Sequence, residues 1–103
     1  MSTPHLLTAL VEEAVSVGSF VRLLSLGGDK ARLSEVTLAA TSPANGKTIV
    51  DLGFPRDSTV VAVLRNESVV VPRGDTTLNE GDEVMVLVTS DSEERVRRLL
   101  IGT

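Results

Sequence analysis

Thr59-Val60-Val61-Ala62-Val63-Leu64-Arg65-Asn66-Glu67-Ser68-Val69-Val70-Val71 is the stretch on which the fold turns. Residues 59–65 are β-branched and aliphatic, as a strand packed against a core requires. Asn66-Glu67-Ser68 supplies turn chemistry, and Val69-Val70-Val71 pairs back until Pro72, which has no amide to give a ladder, ends it. Toward the C-terminus, residues 83–89 alternate, with Val84, Val86 and Val88 on one face, and predict a half-buried strand. Asp91 or Ser92 then caps a last helix over 92–101, whose apolar face is Val96, Leu99 and Leu100. Toward the N-terminus, Gly53-Phe54-Pro55-Arg56-Asp57-Ser58 is a loop. It follows a short helix over 47–52 with Ile49, Val50 and Leu52 as its apolar contacts. Ser42-Pro43-Ala44-Asn45-Gly46 breaks the pattern before it. Residues 19–26 and 32–40 read as two strands of a hairpin around Gly27-Gly28-Asp29-Lys30. Thr3 and Pro4 suit the cap and first position of a helix over 4–17, in which Leu6, Leu7, Leu10, Val11, Ala14 and Val15 share a stripe and Glu12 and Glu13 face away. The expected fold is α+β, a small, mostly antiparallel sheet of about four to five strands with a short helix after the first core strand and a C-terminal helix.

Composition narrows what such a domain can do. The chain has 103 residues, enough for one domain with a real core. It is 42% hydrophobic, which argues against disorder. Phe20 and Phe54 are its only aromatic residues, so base-stacking platforms are lacking. Net charge is −4, and the one basic cluster, Arg95, Arg97 and Arg98, sits beside Glu93 and Glu94. No nucleic-acid partner is expected. No apolar run reaches the roughly 18–20 residues of a membrane span, and the first residues lack a secretion-signal layout. With no cysteine there is no disulfide framework. An intracellular protein that does not insert into the membrane is expected.

Catalytic chemistry finds little to stand on. His5 is the only histidine and has no carboxylate cluster or thiol near it in sequence, so neither a metal site nor a Ser-His-Asp arrangement is expected. Asp75, Glu80, Asp82 and Glu83 lie close together, where a divalent cation and ordinary turn chemistry are both open readings. There is no GxGxxG and no GxxxxGK[ST], and Asn45-Gly46-Lys47-Thr48 only superficially echoes the end of a P-loop. Arg65 and Arg73 read by default as solvated surface arginines. The chain is expected to bind and regulate rather than to catalyse, with no cofactor required.

Four blocks recur together between Glu35 and Leu100. They are Gly46-Lys47-Thr48-Ile49-Val50-Asp51-Leu52, Val60-Val61-Ala62-Val63-Leu64-Arg65, Val71-Pro72-Arg73-Gly74-Asp75-Thr76-Thr77-Leu78 and Gly81-Asp82-Glu83-Val84-Met85-Val86. In this order the sequence resembles the C-terminal domain of RCK-type (Trk) potassium-transport regulators. The resemblance implies that residues 1–30 are a linker helix and strand leading from a nucleotide-binding domain, and that 31–103 are the regulatory domain. It further implies a cytoplasmic homodimer, peripheral to the membrane, that acts on a membrane-embedded cation channel or transporter subunit.

Some members of that family bind cyclic di-AMP at the dimer interface. The matching positions are Ile49, Val50, Phe54, Thr59, Val60 and Pro72, with Arg56 as the nearest candidate to pair with phosphate. The sequence departs from ligand-binding members at two positions and in the loop between them, which is about two residues shorter. Pro55 stands where they carry an arginine, with Arg56 one step on, and Thr59 stands where they carry an asparagine. A ligand-free dimerisation or scaffold module is the alternative expectation.

Overall fold

The computed structural model describes residues 20–102. The expected helix over 4–17 and His5 lie outside the described residues.

Five strands and two helices follow one another as β1 (Phe20–Leu26), β2 (Ala31–Thr37), α1 (Ile49–Leu52), β3 (Thr59–Arg65), β4 (Ser68–Val70), β5 (Glu83–Thr89) and α2 (Glu93–Leu100). The strands form one sheet in the order β1-β2-β5-β3-β4, and every pairing is antiparallel. The α+β expectation is met.

β5 holds the centre because its alternation is complete. Val84, Val86 and Val88 are buried, and Met85 and Leu87 between them point to the other face. Opposite Val84 stand Val36 on one side and Val63 on the other. Together with Leu38, Leu52, Leu78, Val96 and Leu100 they make a single core, with both helices on the same side of the sheet. On β3 the buried positions are Val60 and Val63, three apart where a regular strand would give two. The register shifts between Val60 and Ala62, so Val61 is a bulge residue thrown outward and the strand twists there.

Several boundaries differ from the sequence reading. β2 stops at Thr37 rather than residue 40. Its partner β5 begins at Glu83, and the Leu38 amide donates instead to the Asp82 carbonyl at 2.9 Å while the Gly81 amide donates back to Leu38. Beyond it Asn45 donates its side-chain amide to the carbonyls of Ala39 and Ala40, holding 38–48 as a run of turns. β4 covers Ser68–Val70, not 69–71, because Val70 is the last residue paired to Val63 before the bulge. α1 begins at Ile49, with Thr48 as its cap and Lys47 in the preceding turn. α2 spans 93–100, and Ser92 occupies the cap position, but its hydroxyl accepts from the Thr89 amide instead of capping the helix.

Charge pairs close the β1 side of the molecule. The Arg32 guanidinium on β2 donates to Glu93 at the start of α2 and to Asp29 in the β1–β2 turn, and Arg22 approaches Glu93 at 3.6 Å. Hydrogen bonding to Arg32 holds the Asp29 carboxyl below its ordinary value. At the other end of α2, Ser42 donates its hydroxyl to the Leu100 carbonyl at 2.6 Å, satisfying one of the carbonyls a helix C-terminus leaves free.

Candidate functional site

On the β4 side, α1 is only one turn long and depends on its surroundings. Thr48 accepts the Asp51 amide on its hydroxyl at 3.2 Å. Gly53 then terminates the turn with φ 67°, a left-handed conformation glycine adopts without a side-chain clash, and its amide donates to Val50. The loop after β4 folds over this turn. The Ile49 amide donates to the Thr76 carbonyl at 3.0 Å and the Val50 amide to the Gly74 carbonyl at 2.9 Å. Gly46, with φ 78°, donates to the Leu78 carbonyl at 2.7 Å and lets the chain enter the turn from beneath the same loop. The first amides of α1 are therefore consumed by protein carbonyls and are not available to an anion.

Between this loop, α1 and the start of β3 lies a concave pocket of about 160 Å³, lined by Ile49, Thr59, Val60, Pro72, Arg73 and Gly74. Ile49, Val60 and Pro72 give it apolar walls. Thr59 adds a hydroxyl, and Arg73 is its one cation. The Arg73 amide donates to the Thr76 hydroxyl at 2.9 Å and the Arg73 carbonyl accepts from the Thr76 amide, so the residue is anchored by its backbone while its side chain is exposed. Val50 and Val71, each next in sequence to a lining residue, are left uncovered, 68% and 67% exposed.

Of the residues expected from sequence, Ile49, Thr59, Val60 and Pro72 are brought together here. Val50 stands on the rim, its Cβ close to Gly74. Phe54 packs against the core. Arg56 lies exposed in the turn between α1 and β3 and does not line the pocket. Arg73 and Gly74 were not among the expected site residues. Their position directly after Pro72, in the third of the four blocks, was the signal available.

Arg65, read from sequence as a solvated arginine, is instead half-buried and structural. It donates from Nε to Asp82 Oδ1 at 2.9 Å and from Nη2 to Asp82 Oδ2 at 2.7 Å and to the Thr77 carbonyl at 2.8 Å. The Asp82 pairing holds the guanidinium above its already high ordinary value. Asp82, only 2% exposed, also accepts the Asn79 amide at 2.9 Å. With that carboxylate committed, Asp75, Glu80, Asp82 and Glu83 are not assembled as cation ligands, and no group of three or more metal-ligating side chains occurs among the described residues.

Residues 33–101, which hold the core of this antiparallel sheet and its pocket, match the family model of the TrkA-C domain. The chain belongs to the TrkA-C domain family. It is similar to the Trk system potassium uptake protein TrkA of Mycobacterium tuberculosis (strain H37Rv), with 41% identity over 98% of this chain and 46% of that protein. The chain thus spans under half the length of that relative. Its fold is shared with the GsuK channel (TM-score 0.71, 23% identity, 99% of this chain and 18% of that one). It is shared also with the RCK_C domain dimer of S. agalactiae BusR in complex with c-di-AMP (TM-score 0.57, 21% identity, 67% of this chain and 95% of that one).

Proposed function

We propose that this chain is the ligand-sensing, dimer-forming regulatory part of a potassium uptake regulator, and that cyclic di-AMP binds between the pockets of two copies. The observation that carries the reading is the pocket itself, apolar on three sides, with one exposed arginine and with Val50 and Val71 uncovered beside it. Ligand sites commonly measure about 300–1,000 Å³. At about 160 Å³ this pocket is half a site. Two facing across a two-fold axis would make a whole one, and a two-fold symmetric ligand suits an interface in which each chain contributes the same patch. Ile49, Val60 and Pro72 then contact the bases, and Arg73 pairs with phosphate through charge-assisted hydrogen bonds. Val50 and Val71 become covered when the copies meet, which reduces the exposed apolar surface.

The TrkA relative supports the potassium-uptake assignment, and the BusR domain supports a dimer that takes this ligand. No helix among the described residues is long and apolar enough to cross a membrane. In this reading the chain works at the cytoplasmic face through contact with a membrane-embedded channel or transporter subunit. No catalytic step is part of it. Binding changes dimer geometry, and the transporter responds.

Thermal melting followed by circular dichroism tests the ligand. Cyclic di-AMP at 100 times its dissociation constant should add about 2.7 kcal/mol and raise Tm by several degrees, while AMP and ATP at equal concentration do not. Light scattering should give a dimer of the 10.9 kDa chain. An unchanged melting curve with about 100 µM cyclic di-AMP, a concentration that would nearly saturate a micromolar site, leaves the scaffold reading in its place.

A further inference from the structure

On the face of the sheet opposite the described helices, β2 carries a carboxylate among apolar neighbours. Pairing sets Glu35 beside Val21 of β1 and Met85 of β5, and sets Leu33 beside Leu87. Glu35 is only 2% exposed, and its Oε1 has no hydrogen-bond partner. An unpaired carboxylate in such a place costs free energy that an apolar residue would not. A second carboxylate shares the face. Glu83 of β5 stands opposite Thr37, two residues along β2 from Glu35. Residues on that diagonal of an antiparallel pair are about 7–8 Å apart, within reach of two glutamates. The Glu83 charge acts on Glu35, adding to the burial that disfavours its ionised form. Thr37 Oγ1 is buried as well and also lacks a partner. Among the described residues nothing basic answers these groups. Arg22 and Arg32 reach Glu93 on the helix side, Arg65 reaches Asp82, and neither Glu35 nor Glu83 enters an ion pair.

We propose that Glu35, Glu83 and Thr37 hold a hard divalent cation between β2 and β5. Carboxylate and hydroxyl oxygens are hard donors, which suit an ion of the calcium or magnesium kind and not a soft transition metal. Two carboxylates balance a divalent charge, whereas a monovalent ion would leave one charge uncompensated beside a buried group. The ion also answers the unpartnered Glu35 Oε1 and Thr37 Oγ1 together. No third carboxylate, histidine or cysteine stands with them among the described residues, so water completes the shell. With so few protein ligands the affinity falls in the weak range, about 0.1–1 mM. Occupancy ties the two strands at the centre of the sheet and stabilises the folded chain by mass action. None of the three residues lines the pocket, so the cation is independent of the cyclic di-AMP reading.

Thermal melts of the whole chain in chelator-treated buffer, where both carboxylates can ionise, test the site. CaCl2 or MgCl2 at about 5 mM should raise Tm by a few degrees, and KCl of equal ionic strength should not. Glu35→Gln and Glu83→Gln keep the size of the side chain and should each lose the rise. Glu35→Gln should also melt at or above the parent chain in metal-free buffer, so its lost rise is not a folding defect. Asp75→Asn and Glu80→Gln, which change exposed carboxylates elsewhere, should retain the rise. No rise with either divalent salt would overturn the proposal and leave Glu35 a buried neutral acid. A rise that KCl reproduces, or one that survives in both Glu35→Gln and Glu83→Gln, would overturn it as well, as screening or adventitious surface binding.

Discussion

The two sides of the sheet are finished in opposite ways. On the β1 side, Arg22, Arg32, Asp29 and Glu93 tie two strands to the start of α2, and Ser42 seals its far end. On the β4 side, a one-turn helix and a folded-over loop leave a pocket, an exposed arginine and the exposed Val50 and Val71. The contrast separates residues that make the fold from residues that use it. A domain this small has few kilocalories to spare, so apolar surface left uncovered beside a cavity marks where a ligand or a second copy belongs.

If that division is right, the largest stability effects lie away from the pocket. Leu100→Ala empties a fully buried site in the core that Val36 and Val96 share and should cost about 2–5 kcal/mol in denaturant unfolding. Asp82→Ala should cost about 1–3 kcal/mol, because it strands the Arg65 guanidinium and the Asn79 amide together. Both variants should keep ligand affinity once folded.

Glu35 sharpens the comparison from the face of the sheet opposite the described helices. It is 2% exposed, its Oε1 has no partner, and burial together with the nearby Glu83 carboxylate raises its pKa above 4.5. A carboxyl raised by folding is harmless while protonated, and stability is lost as pH climbs from about 4.5 through the raised value. Glu35→Gln should therefore raise Tm at about pH 7.5 by a few degrees and change it little near pH 4, as paired melts would show. The smallest effects belong to the pocket side. Val71→Ala and Arg73→Ala should stay within about 0.5 kcal/mol of the parent chain while altering association and ligand binding.

What could be read from the sequence follows from which interactions are local. β5 was legible because alternation of valines with other residues is itself the signal of a half-buried strand. The end of β2 was not, since Leu38-Ala39-Ala40 continues an apolar run and only the start of β5 at Glu83 decides where pairing stops. Arg65 looked solvated because its partner Asp82 lies 17 positions away, across a turn whose folding the sequence does not state. Ile49, Thr59, Val60 and Pro72 came from a family resemblance, whereas Arg73 enters the pocket only because Gly74 and Thr76 accept the amides of α1 and draw the loop over it.

Stoichiometry is the property that a half-site cannot disguise. Isothermal titration of cyclic di-AMP into the chain at about 100 µM gives both the molar ratio and the affinity in one experiment. The account predicts one ligand for every two chains, and heat that disappears in Arg73→Ala while the dimer and its melting temperature persist. One ligand per chain, or binding of unchanged affinity in Arg73→Ala, would contradict it.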